Sequence, residues 1–129
     1  MKRTALFYYR ILAIVLNIAT FVFWGAFFLE HLSPFINAGG TLPAEVWFIQ
    51  ICHFFFLVGL LLSIKWNFAG ALLSFIFSFL FLWQAAGYFF FILFPLSNLG
   101  TLLWFGIALY NFRNRNKANN TNIKNTEQL

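Results

Sequence analysis

Residues 46–83 decide the fold, and they read VWFIQICHFFFLVGLLLSIKWNFAGALLSFIFSFLFLW. Two apolar runs, 46–64 and 68–83, flank the short polar turn Lys65-Trp66-Asn67. A membrane-crossing helix needs about 20 mostly apolar residues, with a lower limit of about 17. This stretch therefore predicts two antiparallel membrane-crossing helices joined by a tight turn at the membrane surface.

The composition of the whole chain agrees with this interpretation. The 129 residues are 62% hydrophobic and 9% charged, and their mean hydropathy is +0.82. Soluble domains are about 45–50% apolar and about 25% charged. Because so short a chain leaves much of its surface exposed when folded, it cannot hide this apolar surface from water. The lipid bilayer is therefore the first partner that the sequence predicts.

Two further apolar runs, one before and one after the central hairpin, complete the predicted architecture. It is an all-α, polytopic membrane protein: a four-transmembrane-helix bundle with short loops, formed by residues 1–112 as one domain. The helices are expected at about residues 7–29, 45–64, 68–84 and 88–110.

Local signals set the expected helix ends. Ser33-Pro34 is expected to stop the first helix, and the turn between the third and fourth helices is expected at residues 84–87. Pro95 falls in the first turns of the fourth helix or kinks it. Residues 113–129 are polar and predict a disordered cytoplasmic tail.

The positive charges indicate the orientation of the chain. With four spans, all eight Lys and Arg residues share one side of the membrane, and Glu30 and Glu45 lie on the other. A three-span arrangement would split these cations between the two sides. The positive-inside rule therefore predicts that both termini are cytoplasmic. Membrane anchoring also explains the net charge of +5 without nucleic acid as a partner. The cations are Lys2, Arg3, Arg10, Lys65, Arg113, Arg115, Lys117 and Lys124.

Small residues recur at helical spacing along the second and third helices. They are Gly59 and Ser63 on the second helix, and Gly70, Ser74 and Ser78 on the third. Such stripes let helices approach closely in lipid. We expect the stripe to pack within the bundle, with a homodimer interface as the alternative.

His53 is an ionisable residue well inside a predicted span, and such residues are functional candidates by default. It lies roughly 10 Å below the outer end of its helix, with Gln50 one turn above. Thr20, Ser78 and Asn98 come to comparable depths, which suggests one polar cluster. The alternative is that His53 hydrogen-bonds a neighbouring helix and serves only assembly.

Glu30 and His31 form a second candidate at the outer end of the first helix, as a proton-handling or metal-binding pair. The plainer interpretation is that they hydrate the helix end. No cofactor is predicted. The two histidines lie at different depths, which disfavours a haem, and Cys52 and His53 point to different helix faces, which disfavours zinc. No catalytic motif is visible, so an enzyme is not predicted.

Three short segments resemble a family of small, uncharacterised four-span bacterial membrane proteins. They are Arg10-Ile11-Leu12-Ala13, Trp24-Gly25-Ala26-Phe27-Phe28-Leu29-Glu30-His31-Leu32, and His53 followed by Gly59, Lys65-Trp66 and Gly70. The resemblance covers roughly residues 10–110. It implies a location in a bacterial cytoplasmic membrane, and it implies no activity or substrate.

Two classes of function fit these observations best. The first is a non-enzymatic accessory or structural membrane component that forms a homo-oligomer or joins a larger membrane complex. The alternative is a small transporter or channel that uses the polar cluster around His53. An enzyme that shares a cofactor with another subunit ranks below both.

Overall fold

The computed structural model describes residues 3–37 and 42–127, with side chains described for 4–37 and 42–116. Throughout these ranges the regular structure is helical, so the predicted all-α class is confirmed. The helices are α1 (Arg3–Asn37), α2 (Ala44–Lys65), α3 (Asn67–Ala85), α4 (Phe90–Ser97) and α5 (Leu99–Glu127), with a 3-10 turn at Gly87–Phe89.

Helices α1, α2 and α3 are each long and apolar enough to cross a membrane. Helices α4 and α5 pass the same test as a pair that is bent by 47°. Because Arg115 on α5 lines the same cavity as Arg10 on α1, the bent pair returns to the side where α1 begins. This arrangement agrees with the four predicted crossings.

The two ends of the bundle differ in charge. Arg10, Lys65, Arg113 and Arg115 lie at the end where α1 begins and α2 ends, which we call the basic side. Glu30 and Glu45 lie at the opposite end, which we call the acidic side.

Helix α1 extends further than the sequence predicts. It runs through Pro34 to Asn37, whereas Ser33-Pro34 was expected to end it. Proline removes one backbone N–H and therefore one helical hydrogen bond. So close to the exposed end of a helix, water can satisfy the carbonyl that this leaves free. Its 35 residues span roughly 52 Å, more than the ~30 Å hydrocarbon core, so α1 projects beyond the membrane.

Helices α2 and α3 form a tight antiparallel hairpin in which only Trp66 lies between them. The Trp66 N–H donates to the Leu62 carbonyl at 2.7 Å and closes α2. Gly59 faces the backbone of Ser74, and Gly70 faces the backbone of Ser63. Gly59, Ser63, Gly70 and Ser74 therefore lie at the contact between α2 and α3, inside the bundle, whereas Ser78 bonds Asn98 of the fourth span.

The fourth span, expected over 88–110 with Pro95 in its first turns or as a kink, is interrupted at Asn98. The Asn98 N–H is shared between the carbonyls of Phe94 and Pro95, at 3.2 Å each, and the Asn98 side chain also donates to the Phe94 carbonyl at 2.8 Å. Side chains that bond nearby carbonyls compete with the helical ladder. Pro95 weakens the same turn because it has no N–H.

Two further boundaries follow from the structure. Gly87, with a φ of 52°, lies just after α3 and reverses the chain toward α4, within the turn expected at 84–87. At the other end, α5 continues to Glu127, where a disordered tail was expected. Extending an existing helix is much easier than starting one, so a stable span can propagate a helix into a polar segment.

Two apolar clusters fill the bundle core. The cluster toward the acidic side contains Trp24, Cys52, Phe56, Leu57, Leu60, Phe81, Leu82 and Phe90. The cluster toward the basic side contains Ala13, Ala71, Trp104 and Ile107. Between them along the helices lie fully buried polar residues: Asn17, Ser63, Ser74, Ser78, Asn98 and Thr101. Hydrogen bonds within this layer join neighbouring helices, Asn17 to Ser63 and Asn98 to Ser78.

Candidate functional site

The imidazole of His53 lies in the core of the bundle, between α1 and α3, and is 2% exposed. It stacks on the ring of Phe81, with centroids 4.1 Å apart. It lies nearly perpendicular to the rings of Trp24 and Phe28, at centroid distances of 5.9 and 5.3 Å. Aromatic contacts on several sides therefore hold the ring in one orientation.

The two ring nitrogens of His53 have different surroundings. The ring makes a hydrogen bond with the backbone of Trp24, whereas Nε2 is buried and has no partner. The Trp24 N–H is already used within α1, so the backbone group must be the carbonyl oxygen, which only accepts. Nδ1 therefore carries the donated proton, and the Nε2 lone pair is free.

A cavity of about 200 Å³ adjoins this imidazole at the acidic side of the bundle. His53, His31 and Gln50 are its polar lining residues, and Trp24 and Phe81 belong to its aromatic wall. The described lining contains no carboxylate, hydroxyl, thiol or cationic side chain. The chemistry that the cavity offers is therefore that of two imidazoles and an amide among aromatic rings.

His31 is anchored in the same manner as His53. Its Nδ1 lies 2.7 Å from the carbonyl oxygen of Phe27, one turn back along α1. A carbonyl oxygen can only accept, so Nδ1 of His31 also donates, and in the neutral imidazole its Nε2 is an acceptor. Gln50 donates from Nε2 to the Phe28 carbonyl at 3.4 Å, a long hydrogen bond. Three polar residues of the cavity thus bond to backbone carbonyls of α1.

Packed side chains close the cavity toward the middle of the bundle. Phe56 and Leu60 follow His53 along α2 toward the middle of the bundle, and both are fully buried. His31, at the other end of the cavity, is exposed. The cavity is therefore a vestibule that is accessible from the acidic side and closed below His53. We call it the histidine vestibule.

The predicted polar cluster is divided in the structure. His53 and Gln50 line the vestibule, but Ser78 and Asn98 do not. The Asn98 Nδ2 donates to Ser78 Oγ at 2.9 Å, which joins α3 to the break in the fourth span. Thr20 is half-buried on α1 and lines no part of the vestibule. Depth along each helix was predictable, but helix rotation directs these side chains to different neighbours.

The candidate pair Glu30 and His31 is also divided. His31 lines the vestibule, whereas Glu30 is exposed and does not. Consecutive residues project about 100° apart around a helix with 3.6 residues per turn, so only one of them can face the cavity. Among the described residues, no group of three or more His, Cys, Asp or Glu side chains could hold a metal ion.

Sequence reasoning missed the polar residues of α1 that join it to other helices. Asn17 donates from Nδ2 to Ser63 Oγ at 2.6 Å, and Trp24 donates from Nε1 to Ser97 Oγ at 2.8 Å. Asn17, Trp24 and His31 recur at intervals of seven residues, which places them near one face of α1. That spacing was the available signal for the buried face of this helix.

Comparison with known proteins adds no family assignment. No protein-family model matches the chain, and no curated protein or solved structure is detectably similar to it. The resemblance to small four-span bacterial proteins therefore stays a prediction.

Proposed function

We propose that this protein is a non-enzymatic accessory component of a bacterial cytoplasmic membrane that binds a small solute in its histidine vestibule. The observation that carries the proposal is the buried, unpartnered Nε2 of His53 beside a cavity with a closed floor. A buried polar atom without a hydrogen bond is costly, and native proteins normally satisfy it with protein, water or ligand. A bound solute would supply the missing partner.

The shape and chemistry of the vestibule define the solute. Its volume of about 200 Å³ equals that of six or seven water molecules at about 30 Å³ each. The Nε2 lone pair of His53 accepts a hydrogen bond, as does Nε2 of His31 when that ring is neutral, and the aromatic lining favours a cation. A small hydrogen-bond donor therefore fits best, and a primary or secondary ammonium group satisfies both features.

The orientation proposed for the chain places the vestibule outside the cell. The basic side carries Arg10, Lys65, Arg113 and Arg115, and the positive-inside rule assigns such a side to the cytoplasm. Both termini would then be cytoplasmic, and the acidic side would face outward. The described vestibule lining contains no carboxylate, hydroxyl or thiol side chain, which supports binding over catalysis.

Native mass spectrometry of protein released from nanodiscs tests the proposal. His53→Phe keeps an aromatic ring on Phe81 but removes both nitrogens, and Ile51→Ala, on an exposed part of the same helix, is the control. The wild type and the control should retain a small amine added at millimolar concentration, and His53→Phe should not. Equal retention by all three proteins, or by none, would contradict the proposed site.

The second candidate function is transport, and the broken fourth span favours it. Interrupted helices near the membrane centre recur in transporters, where helix ends and free backbone groups face the substrate. Ser97 and Asn98 are buried at this break. Proteoliposome flux that is lost in Asn98→Leu, and kept in Thr20→Val, would support transport. An absence of flux for protons, small amines and common ions would exclude it.

A further inference from the structure

A second candidate site lies at the basic side, between the first turns of α1 and residues 111–115 of α5. Arg10 of α1 and Arg115 of α5 line one open cavity of about 460 Å³, together with Asn111 and Asn114. No carboxylate belongs to the described lining, so the charge of the two guanidinium groups is not neutralised within the cavity. Two arginines and two amides form a site rich in hydrogen-bond donors and suited to an anion.

An apolar groove of about 590 Å³ continues from this cavity. Asn111 and Arg115 line both spaces, so the polar cavity and the groove adjoin each other along α5. The remaining groove wall is apolar and comes from α3 and α5; Phe68 and Phe105 meet there with ring centroids 5.7 Å apart. Phe68 and Leu109 are largely exposed, so this groove opens toward lipid.

We propose that this composite site binds an anionic phospholipid. The phosphate would lie between Arg10 and Arg115, the amides of Asn111 and Asn114 would contact the headgroup, and one acyl chain would occupy the groove. An anionic phospholipid matches both the positive charge of the cavity and the apolar groove beside it. A free phosphate would use the cavity alone, and a neutral lipid would leave the two arginine charges incompletely balanced. Basic pockets beside transmembrane helices are suited to anionic headgroups. The inference requires only that the chain is embedded in a membrane.

A pair of charge-matched double variants tests the headgroup contact. Arg10→Gln with Arg115→Gln removes both cations of the cavity. Lys65→Gln with Arg113→Gln removes the same charge from the same side but changes no residue that lines either space. Native mass spectrometry from nanodiscs of mixed phosphatidylglycerol and phosphatidylcholine measures the lipid that each protein retains.

We expect the first double variant to lose preference for phosphatidylglycerol on the order of 30-fold, because it removes two charge-assisted contacts with the phosphate. The control removes no such contact and should lose less than about 3-fold. Equal losses in both would show a general surface attraction and overturn the site. Circular dichroism spectra and size-exclusion elution volumes equal to those of the wild type show that the variants are folded. The single variants Arg10→Gln and Arg115→Gln should each show an intermediate loss of preference for phosphatidylglycerol.

A groove variant separates lipid from free phosphate. Ala108→Trp fills the groove without changing charge, and Ala69→Trp, at an exposed position that lines neither space, is its control. Ala108→Trp should release phosphatidylglycerol, and Ala69→Trp should retain it. If Ala108→Trp retains the lipid, or if millimolar inorganic phosphate displaces the lipid from the wild type, the acyl chain is not recognised and the proposal is wrong.

Discussion

Gly59 offers the sharpest test of how α2 and α3 pack. A Cβ atom added at Gly59 would lie 2.7 Å from Ser74 Cα and 2.9 Å from Ser74 Cβ. Carbon atoms in good contact are about 3.5–4.0 Å apart, so the two helices would have to separate by about 1 Å. Gly25 of α1 is the matched control, because an added Cβ there has no neighbour within 4 Å.

The expected magnitude follows from comparing the two substitutions. Gly→Ala within a helix brings a favourable propensity term of up to about 1 kcal/mol, and this term is common to both sites. Overpacking typically costs about 1–3 kcal/mol and applies only to Gly59. Gly59→Ala should therefore be less stable than Gly25→Ala by about 1–3 kcal/mol. The clash involves the Ser74 backbone, so adding Ser74→Ala should not restore stability.

Equilibrium unfolding in mixed detergent micelles, followed by tryptophan fluorescence and circular dichroism, measures these free energies. Ser74→Ala alone should be neutral or slightly stabilising, because it removes a buried hydroxyl that has no hydrogen-bond partner among the described residues, so rescue is measured relative to Ser74→Ala. Equal free energies of unfolding for Gly59→Ala and Gly25→Ala would refute the close approach of α2 and α3. Full rescue by Ser74→Ala would show that a side chain, rather than the backbone, sets the distance.

Three further predictions concern hydrogen bonds in the bundle. A double-mutant cycle of Trp24→Phe and Ser97→Ala should give a coupling energy of about 0.6 kcal/mol, the average for hydrogen bonds between membrane helices, and no more than about 1.7 kcal/mol. Asn98→Leu should straighten the fourth span, because it removes the side-chain hydrogen bonds to Ser78 and to the Phe94 carbonyl. Distances between spin labels placed on either side of the break measure the 47° bend. Nitrogen-15 NMR of labelled histidine should show His53 protonated at Nδ1 with a free Nε2 lone pair.

Each of these measurements has a control and an opposing result. A coupling energy near zero would remove the Trp24–Ser97 bond from the forces that join α1 to α4. Asn111→Leu, near the end of the fourth span, should leave the bend unchanged, and an unaltered bend in Asn98→Leu would show that Pro95 alone produces it. His31 supplies a reference signal with the same tautomer. A proton on Nε2 of His53 would contradict the arrangement of the vestibule.

Much of the architecture was readable from the order of apolar and polar residues. The α2–α3 hairpin was predicted because two apolar runs flank Lys65-Trp66-Asn67, and a helix needs a minimum apolar length to cross lipid. A kink in the fourth span was considered only at Pro95, and the part of Asn98 in the break was not predicted, because hydropathy does not show that a side chain bonds the backbone of its own helix. Ser78, twenty residues away in the sequence, also bonds the Asn98 side chain and holds it in this position.

For the candidate site, the sequence by itself determined that His53 and Gln50 lie at similar depth on one face of α2, since this follows from helical spacing. Tertiary structure decided which helices face them: His31 joins them in the vestibule, and Ser78 and Asn98 pair elsewhere. The physical reason is the rotation of each helix about its own axis. Hydropathy specifies where a helix enters and leaves the membrane, but only packing against neighbouring helices specifies how it is turned about its axis.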